Sequence, residues 1–117
     1  MGATANDMHD LVEKLEVMKQ RVAQTDQAFF DAYGQFSQQA KKDGALSNKM
    51  KELICVATGV ILRCSYCIAF HVKKAIEAGA SRQEIMETGF VAVNMGGGPS
   101  LAYMTELIDA CDEFGAK

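Results

Sequence analysis

The segment Cys64-Ser65-Tyr66-Cys67-Ile68-Ala69-Phe70-His71 holds two of the four cysteines and one of the two histidines of this 117-residue chain. In a helix, Cys64, Cys67 and His71 recur at the three- and four-residue steps that line one face. Two thiols and an imidazole on one face can do redox chemistry or hold a metal ion. A C-x-x-C pair at a helix start has three physical advantages. The free amides and positive end of the helix favour a thiolate. The spacing allows a disulfide to close with modest strain. A nearby His and Glu can move protons.

The metal alternative is weaker. Cys64, Cys67 and His71 supply three zinc ligands, and a structural zinc site takes four. The chain has neither a second C-x-x-C nor an H-x-x-x-H. Cys55 and Cys111 fall on apolar stripes and read as core, and His9 reads as a surface residue. No metal ligands are therefore expected. Glu52 stands in an otherwise apolar helix, where a carboxylate is costly unless paired or protonated. Desolvation there would raise its pKa and suit it to proton transfer. The rival reading, a carboxylate near Lys49 or Lys51 facing solvent, is equally compatible with composition. Tyr66 either lines the site or packs. Gly96-Gly97-Gly98 is a tight helix-to-helix turn rather than a phosphate loop, because no Lys-Ser or Lys-Thr follows it.

The elements that must position these residues read as about six helices, an all-α fold. Met8, Leu11, Val12, Leu15, Met18 and Val22 have helical spacing. Thr25-Asp26 breaks the chain and caps a second helix, with Phe29, Phe30, Tyr33, Phe36 and Ala40 on a stripe expected to be buried. Gly44 fits a C-terminal stop after Lys41-Lys42. Ser47 caps the next helix, whose residues from Met50 to Leu62 are apolar on nearly every side, the mark of a buried helix. Glu52, Val56, Gly59 and Arg63 share one stripe of it, and Gly59 would let another backbone come close. Residues 48 to 78 contain no Gly or Pro break at the Cys64 segment. One helix of that length would far exceed the usual ~12 residues, so a break is expected near Arg63. Gly79 ends the second part. Ser81-Arg82-Gln83-Glu84 is a capping box that opens a helix with Ile85, Met86, Phe90, Val93 and Met95 inward. Pro99 fits the first turn of a last helix carrying Leu101, Met104, Leu107, Ile108 and Cys111 on one side. No period-two stretch bounded by turn residues appears.

Composition narrows the function classes. The length fits one domain over residues 1–117, with residues 1–6 read as a loose tail. The 49% apolar content is high for so small a domain and points to a partner, most simply further copies of the chain. A net charge of −3 offers no footprint for nucleic acid. No run is long enough to span a membrane, and Met1 to Asp10 show no secretory pattern. A cytoplasmic location is expected, where thiols stay reduced and four cysteines suggest redox or metal chemistry rather than a disulfide frame.

Glu52, then Cys64, Cys67 and His71 at fixed spacing, resemble the alkylhydroperoxidase D-like branch of the carboxymuconolactone decarboxylase family. Asn94-Met95-Gly96-Gly97-Gly98-Pro99-Ser100-Leu101 is similar to its small single-domain members. The resemblance covers roughly Leu46 to Phe114. It implies an all-helical homo-oligomer, often a trimer or hexamer, with Glu52 on a helix packed beside the C-x-x-C helix. It implies peroxide reduction through a Cys64–Cys67 disulfide, with Cys67 the peroxide-reactive thiol, Cys64 resolving, and Glu52 and His71 as the proton relay. The cofactor expectation is none, with an external dithiol or thiol-protein reductant. Some relatives carry a histidine where this chain has Tyr66. Helix-terminus physics alone marks Cys64 as the more exposed and more acidic thiol. Two other functions compete: the decarboxylase chemistry that names the family, whose decarboxylase branch lacks the C-x-x-C, and a non-catalytic helical oligomer that binds metal or a partner.

Overall fold

The computed structural model describes residues 7–117, so the tail expected over residues 1–6 lies outside it. The described residues form six α-helices and no strand: α1 Asp7–Thr25, α2 Gln27–Lys41, α3 Asn48–Leu62, α4 Ser65–Glu77, α5 Arg82–Gly96 and α6 Gly98–Glu113. The helix starts fall where side-chain acceptors stand. Asp26, Ser47 and Ser81 accept from the amides of Phe29, Met50 and Glu84, and the Glu84 carboxylate returns to the Ser81 amide to complete the capping box. Pro99 occupies the first turn of α6.

The break between α3 and α4 is made by Arg63, which takes a left-handed conformation (φ 58°, ψ 43°). Its amide donates to the Val60 carbonyl at 3.2 Å, and the next amide, that of Cys64, donates to Gly59 at 3.0 Å. These are the two bonds of a Schellman motif, a role normally given to glycine. Gly79 (φ 96°) plays the same part after α4, with the amides of Gly79 and Ala80 bonded to Ile76 and Ala75.

The core lies between α3, α4, α5 and α6. Val56, Val60, Ile68, Val72, Ile85 and Leu107 are fully buried there. Two glycines let helices close on one another. A Cβ on Gly59 would stand 3.1 Å from the Cys67 Cβ and 3.4 Å from the Ile68 nitrogen, so α3 and α4 meet almost backbone to backbone as the sequence predicts. Gly89 similarly faces Met104 and Leu107 across the α5–α6 contact.

Burial departs from the periodicity in several places. No residue of α2 is buried, and Phe29, Tyr33 and Phe36 are 61%, 60% and 69% exposed. The stripe is real, but α2 packs chiefly on α1, which does not cover it. Helix α3 buries one face only, leaving Met50, Ile54, Ile61 and Leu62 exposed. Phe90 and Met95 on α5 and Leu101 on α6 also point outward, because the faces of Ile85, Gly89 and Ala92 and of Met104 and Leu107 hold the core. Gly44 is not a left-handed stop. α2 ends when Lys42 turns extended (φ −63°, ψ 153°), and the Gly44 amide bonds to the Leu46 carbonyl.

Candidate functional site

Glu52 is 4% exposed, on the face of α3 that meets α4. Its Oε1 lies 2.8 Å from His71 Nδ1, and its Oε2 accepts from Lys41 Nζ at 3.1 Å. Burial alone would push its pKa up, as expected from the sequence. The hydrogen bonds from His71 and Lys41, together with their charges, outweigh that and hold the carboxyl below its ordinary value. An ionised carboxylate only accepts hydrogen bonds, so His71 Nδ1 must carry the proton. Whenever that ring is neutral, Nε2 is the nitrogen left with a free lone pair. Lys41 is set in place by Asn48, whose Nδ2 donates to the Lys41 carbonyl at 2.8 Å.

Cys64 and Cys67 are joined by a disulfide, with Cα atoms 5.2 Å apart. Cys64 is the N-cap of α4, and the Cys67 amide donates to its Sγ at 3.1 Å. The sulfur thus replaces the usual cap oxygen and sits in the positive field of the helix start. Ser65 Oγ donates to Glu106 Oε2 at 2.9 Å, which ties that start to α6. Gly59 gives Cys67 its room.

A cleft of about 1090 Å³ opens beside the pair. Glu52, Cys55, Cys67 and His71 line it from α3 and α4, Tyr66 joins them, and Phe29, Phe30, Tyr33 and Phe36 of α2 form an apolar wall. Phe70 meets the His71 ring edge-on at 5.1 Å between centroids. Lys19 Nζ stands 4.6 Å from the centre of the Phe70 ring, and Lys41 and Lys74 stand 5.6 Å from it. The cleft is therefore greasy with a cationic margin.

The structure brings Cys64, Cys67 and His71 onto one end of α4 and sets Glu52 against His71 rather than toward solvent, and Tyr66, 43% exposed, lines the cleft. Cys67 shares that lining and Cys64 does not, although both are half-buried. Cys111 is core, with burial pushing its thiol up to about 11. Cys55 departs from expectation. It is half-buried at the cleft, and burial raises its pKa, with the Glu52 charge adding to the rise and Lys41 opposing it. His9 is exposed, donates from Nε2 to the Glu113 carbonyl at 3.1 Å and packs on Phe114. Sequence reasoning missed Lys41. Its only signal was a cation in the last turn of a helix, a placement that also suits the helix dipole.

Residues 27–110 match the Carboxymuconolactone decarboxylase family. The chain is 37% identical over 83 residues to an uncharacterized protein in the cox locus of Paracoccus denitrificans, covering 71% of this chain and 75% of that one. It is 32% identical over 95 residues to an uncharacterized protein of Cupriavidus necator, covering 81% and 84%. A carboxymuconolactone decarboxylase family protein from Legionella pneumophila superposes with a TM-score of 0.90 at 35% identity, covering 93% of this chain and 97% of that one. A protein of the same family from Thermotoga maritima, whose name suggests a part in antioxidative response, gives a TM-score of 0.79 at 24% identity, covering 91% and 90%. At that identity the likeness is one of fold.

Proposed function

The chain belongs to the carboxymuconolactone decarboxylase family, and from that premise we propose that it is a thiol-dependent hydroperoxide reductase of the alkylhydroperoxidase D-like kind. The observation that carries the reading is a redox-capable cysteine pair at a helix start, sharing a cleft with a half-buried His71 bonded to a buried Glu52. In the reduced protein, His71 Nε2 takes the Cys67 proton. The Cys67 thiolate attacks the outer peroxide oxygen, the O–O bond breaks, and the alkoxide leaves as an alcohol after taking that proton back. Cys67 becomes a sulfenic acid. The Cys64 thiol attacks its sulfur, expels water and forms the disulfide. A dithiol or thiol protein then reduces the bridge, and no resident cofactor is required. Cys64, at the helix start and outside the cleft lining, is the sulfur offered to that reductant.

The pair would cycle in a reducing compartment, for which we take the cytoplasm; no helix among the described residues is long and apolar enough to cross a membrane. The exposed apolar residues of α2, α5 and α6 support assembly with further copies of the chain, as a trimer or hexamer. The test is the intact mass of the reduced protein before and after one equivalent of an organic hydroperoxide. Loss of two hydrogens, mapped to Cys64 and Cys67 and abolished in Cys67→Ser, is expected. Free thiols after exposure would overturn the reading. Lactone turnover surviving alkylation of both cysteines would return the decarboxylase alternative.

A further inference from the structure

Cys55 is a cleft thiol that the peroxide reaction leaves unused. It lies three residues after Glu52, so both side chains leave the same face of α3 toward α4. One ligand atom from each of Glu52, Cys55 and His71 lies within 4.8 Å of the others. The carboxylate is buried and the other two residues are half-buried. Two helices whose separation is fixed by the Gly59 contact therefore present one oxygen, one sulfur and one nitrogen to a common point. This donor set differs from Cys64, Cys67 and His71, the combination that the sequence brings to mind.

We propose that Glu52, Cys55 and His71 form a binding site for a divalent transition-metal ion of borderline softness, Zn²⁺ being the type case, with cleft water as the fourth ligand. Mixed S, N and O donors suit such an ion and select against Mg²⁺ or Ca²⁺, which take oxygen. A tetrahedral zinc shell would bring the three atoms to roughly 3.4–3.7 Å apart, an approach within reach of side-chain rotation. Binding releases the Cys55 thiol proton to solvent and forms a metal–sulfur bond. No electron moves. Lys41 is the built-in competitor, because its ammonium already neutralises Glu52 at 3.1 Å. The site is open to the cleft, so an ion can enter without unfolding. A bound ion would occupy both members of the proton relay, making it an inhibitor of the reaction proposed above rather than a participant. The site itself does not depend on that reaction.

The experiment uses the disulfide form of the full chain, in which Cys64 and Cys67 cannot act as thiolate ligands. Its free thiols are Cys55 and Cys111, and Cys111 is 0% exposed in the core. After dialysis against Zn²⁺, about one ion per chain is expected, with Co²⁺ giving a thiolate-to-metal charge-transfer band. Cys55→Ala, with helical content checked by circular dichroism, should weaken Zn²⁺ binding at least tenfold and remove the band. Lys41→Met, which removes the competing charge, should tighten binding severalfold. Failure of the disulfide form to bind Zn²⁺, a Co²⁺ spectrum without the band, or equal affinity in folded Cys55→Ala would each overturn the proposal. The wild-type cobalt spectrum decides the question even where a variant does not fold.

Discussion

Glu52 receives opposite influences from its surroundings, and the balance between them sets what the site can do. Burial favours the neutral acid, whereas His71 and Lys41 favour the anion and prevail. Glu52→Gln keeps the shape and removes the charge. The amide can no longer fix the basic His71 tautomer, so disulfide formation after peroxide should slow by about 10²-fold, measured by quenched-flow mass analysis. It also leaves Lys41 without its counter-ion, at a cost of about 1–3 kcal/mol in denaturant unfolding. Cys111 makes a separate residue-scale prediction. Its thiol is raised to about 11 in the fold against 9.0 in an exposed chain, so the unfolded state loses its proton first. Stability is thus whole below pH 9 and falls by roughly 3 kcal/mol as pH rises through 11. Urea unfolding should show this alkaline decline, and Cys111→Ala should flatten it. Glu52, Cys64, Cys67 and His71 were legible because each pair lies within about one helix turn or a recognisable spacing. Lys41 was not, since it meets Glu52 only through the path of the α2–α3 loop, and an apolar stripe hid Cys55 because a thiol there resembles any small core residue.

At the scale of elements, the contact between α3 and α4 is what aligns the chemistry. Alanine at Gly59 would regain up to about 1 kcal/mol of helix propensity. Its Cβ would crowd the Cys67 Cβ at 3.1 Å, next to the backbone of the fully buried Ile68. Neither neighbour can retreat, so Gly59→Ala should lose about 1–3 kcal/mol net and lower the melting temperature. Arg63→Val tests the break between the same helices. A β-branched residue fits the left-handed region poorly, and about 1–2 kcal/mol should be lost at this exposed position, read from the same unfolding curves. Helix starts were plain in the sequence, since Ser47, Asp26 and the Ser81 box cap by local chemistry. The Arg63 turn gave little signal, because arginine stands where glycine would announce it.

The whole molecule leaves large apolar side chains in the open, including Phe36 at 69% and Met95 at 75%. Helical periodicity gives the direction of each face and does not say what covers it, so an exposed stripe such as that of α2 reads the same as a buried one. Assembly is the expected resolution, because patches of this kind are rarely left bare on a monomer. Sedimentation equilibrium should return three or six times the 12.7 kDa chain mass, and a monomer at micromolar concentration would refute it. Phe36→Glu on α2 and Met95→Glu on α5 would then identify which helix carries the contact, by which of them dissociates the oligomer.

Helix α2 has no buried side chain of its own, yet its last residue reaches down to Glu52 while Asn48 grips the same residue's carbonyl. The α2 wall of the cleft is therefore fastened at its end by the same carboxylate that steadies the histidine. The charge inside the site and the seating of that wall thus share one fastener. Discharging Glu52 removes this tie and leaves the bond from Asn48 to the Lys41 carbonyl in place. In Glu52→Gln, hydrogen exchange along Gln27–Lys41 should quicken while the amides of α4 around Val72 keep their protection.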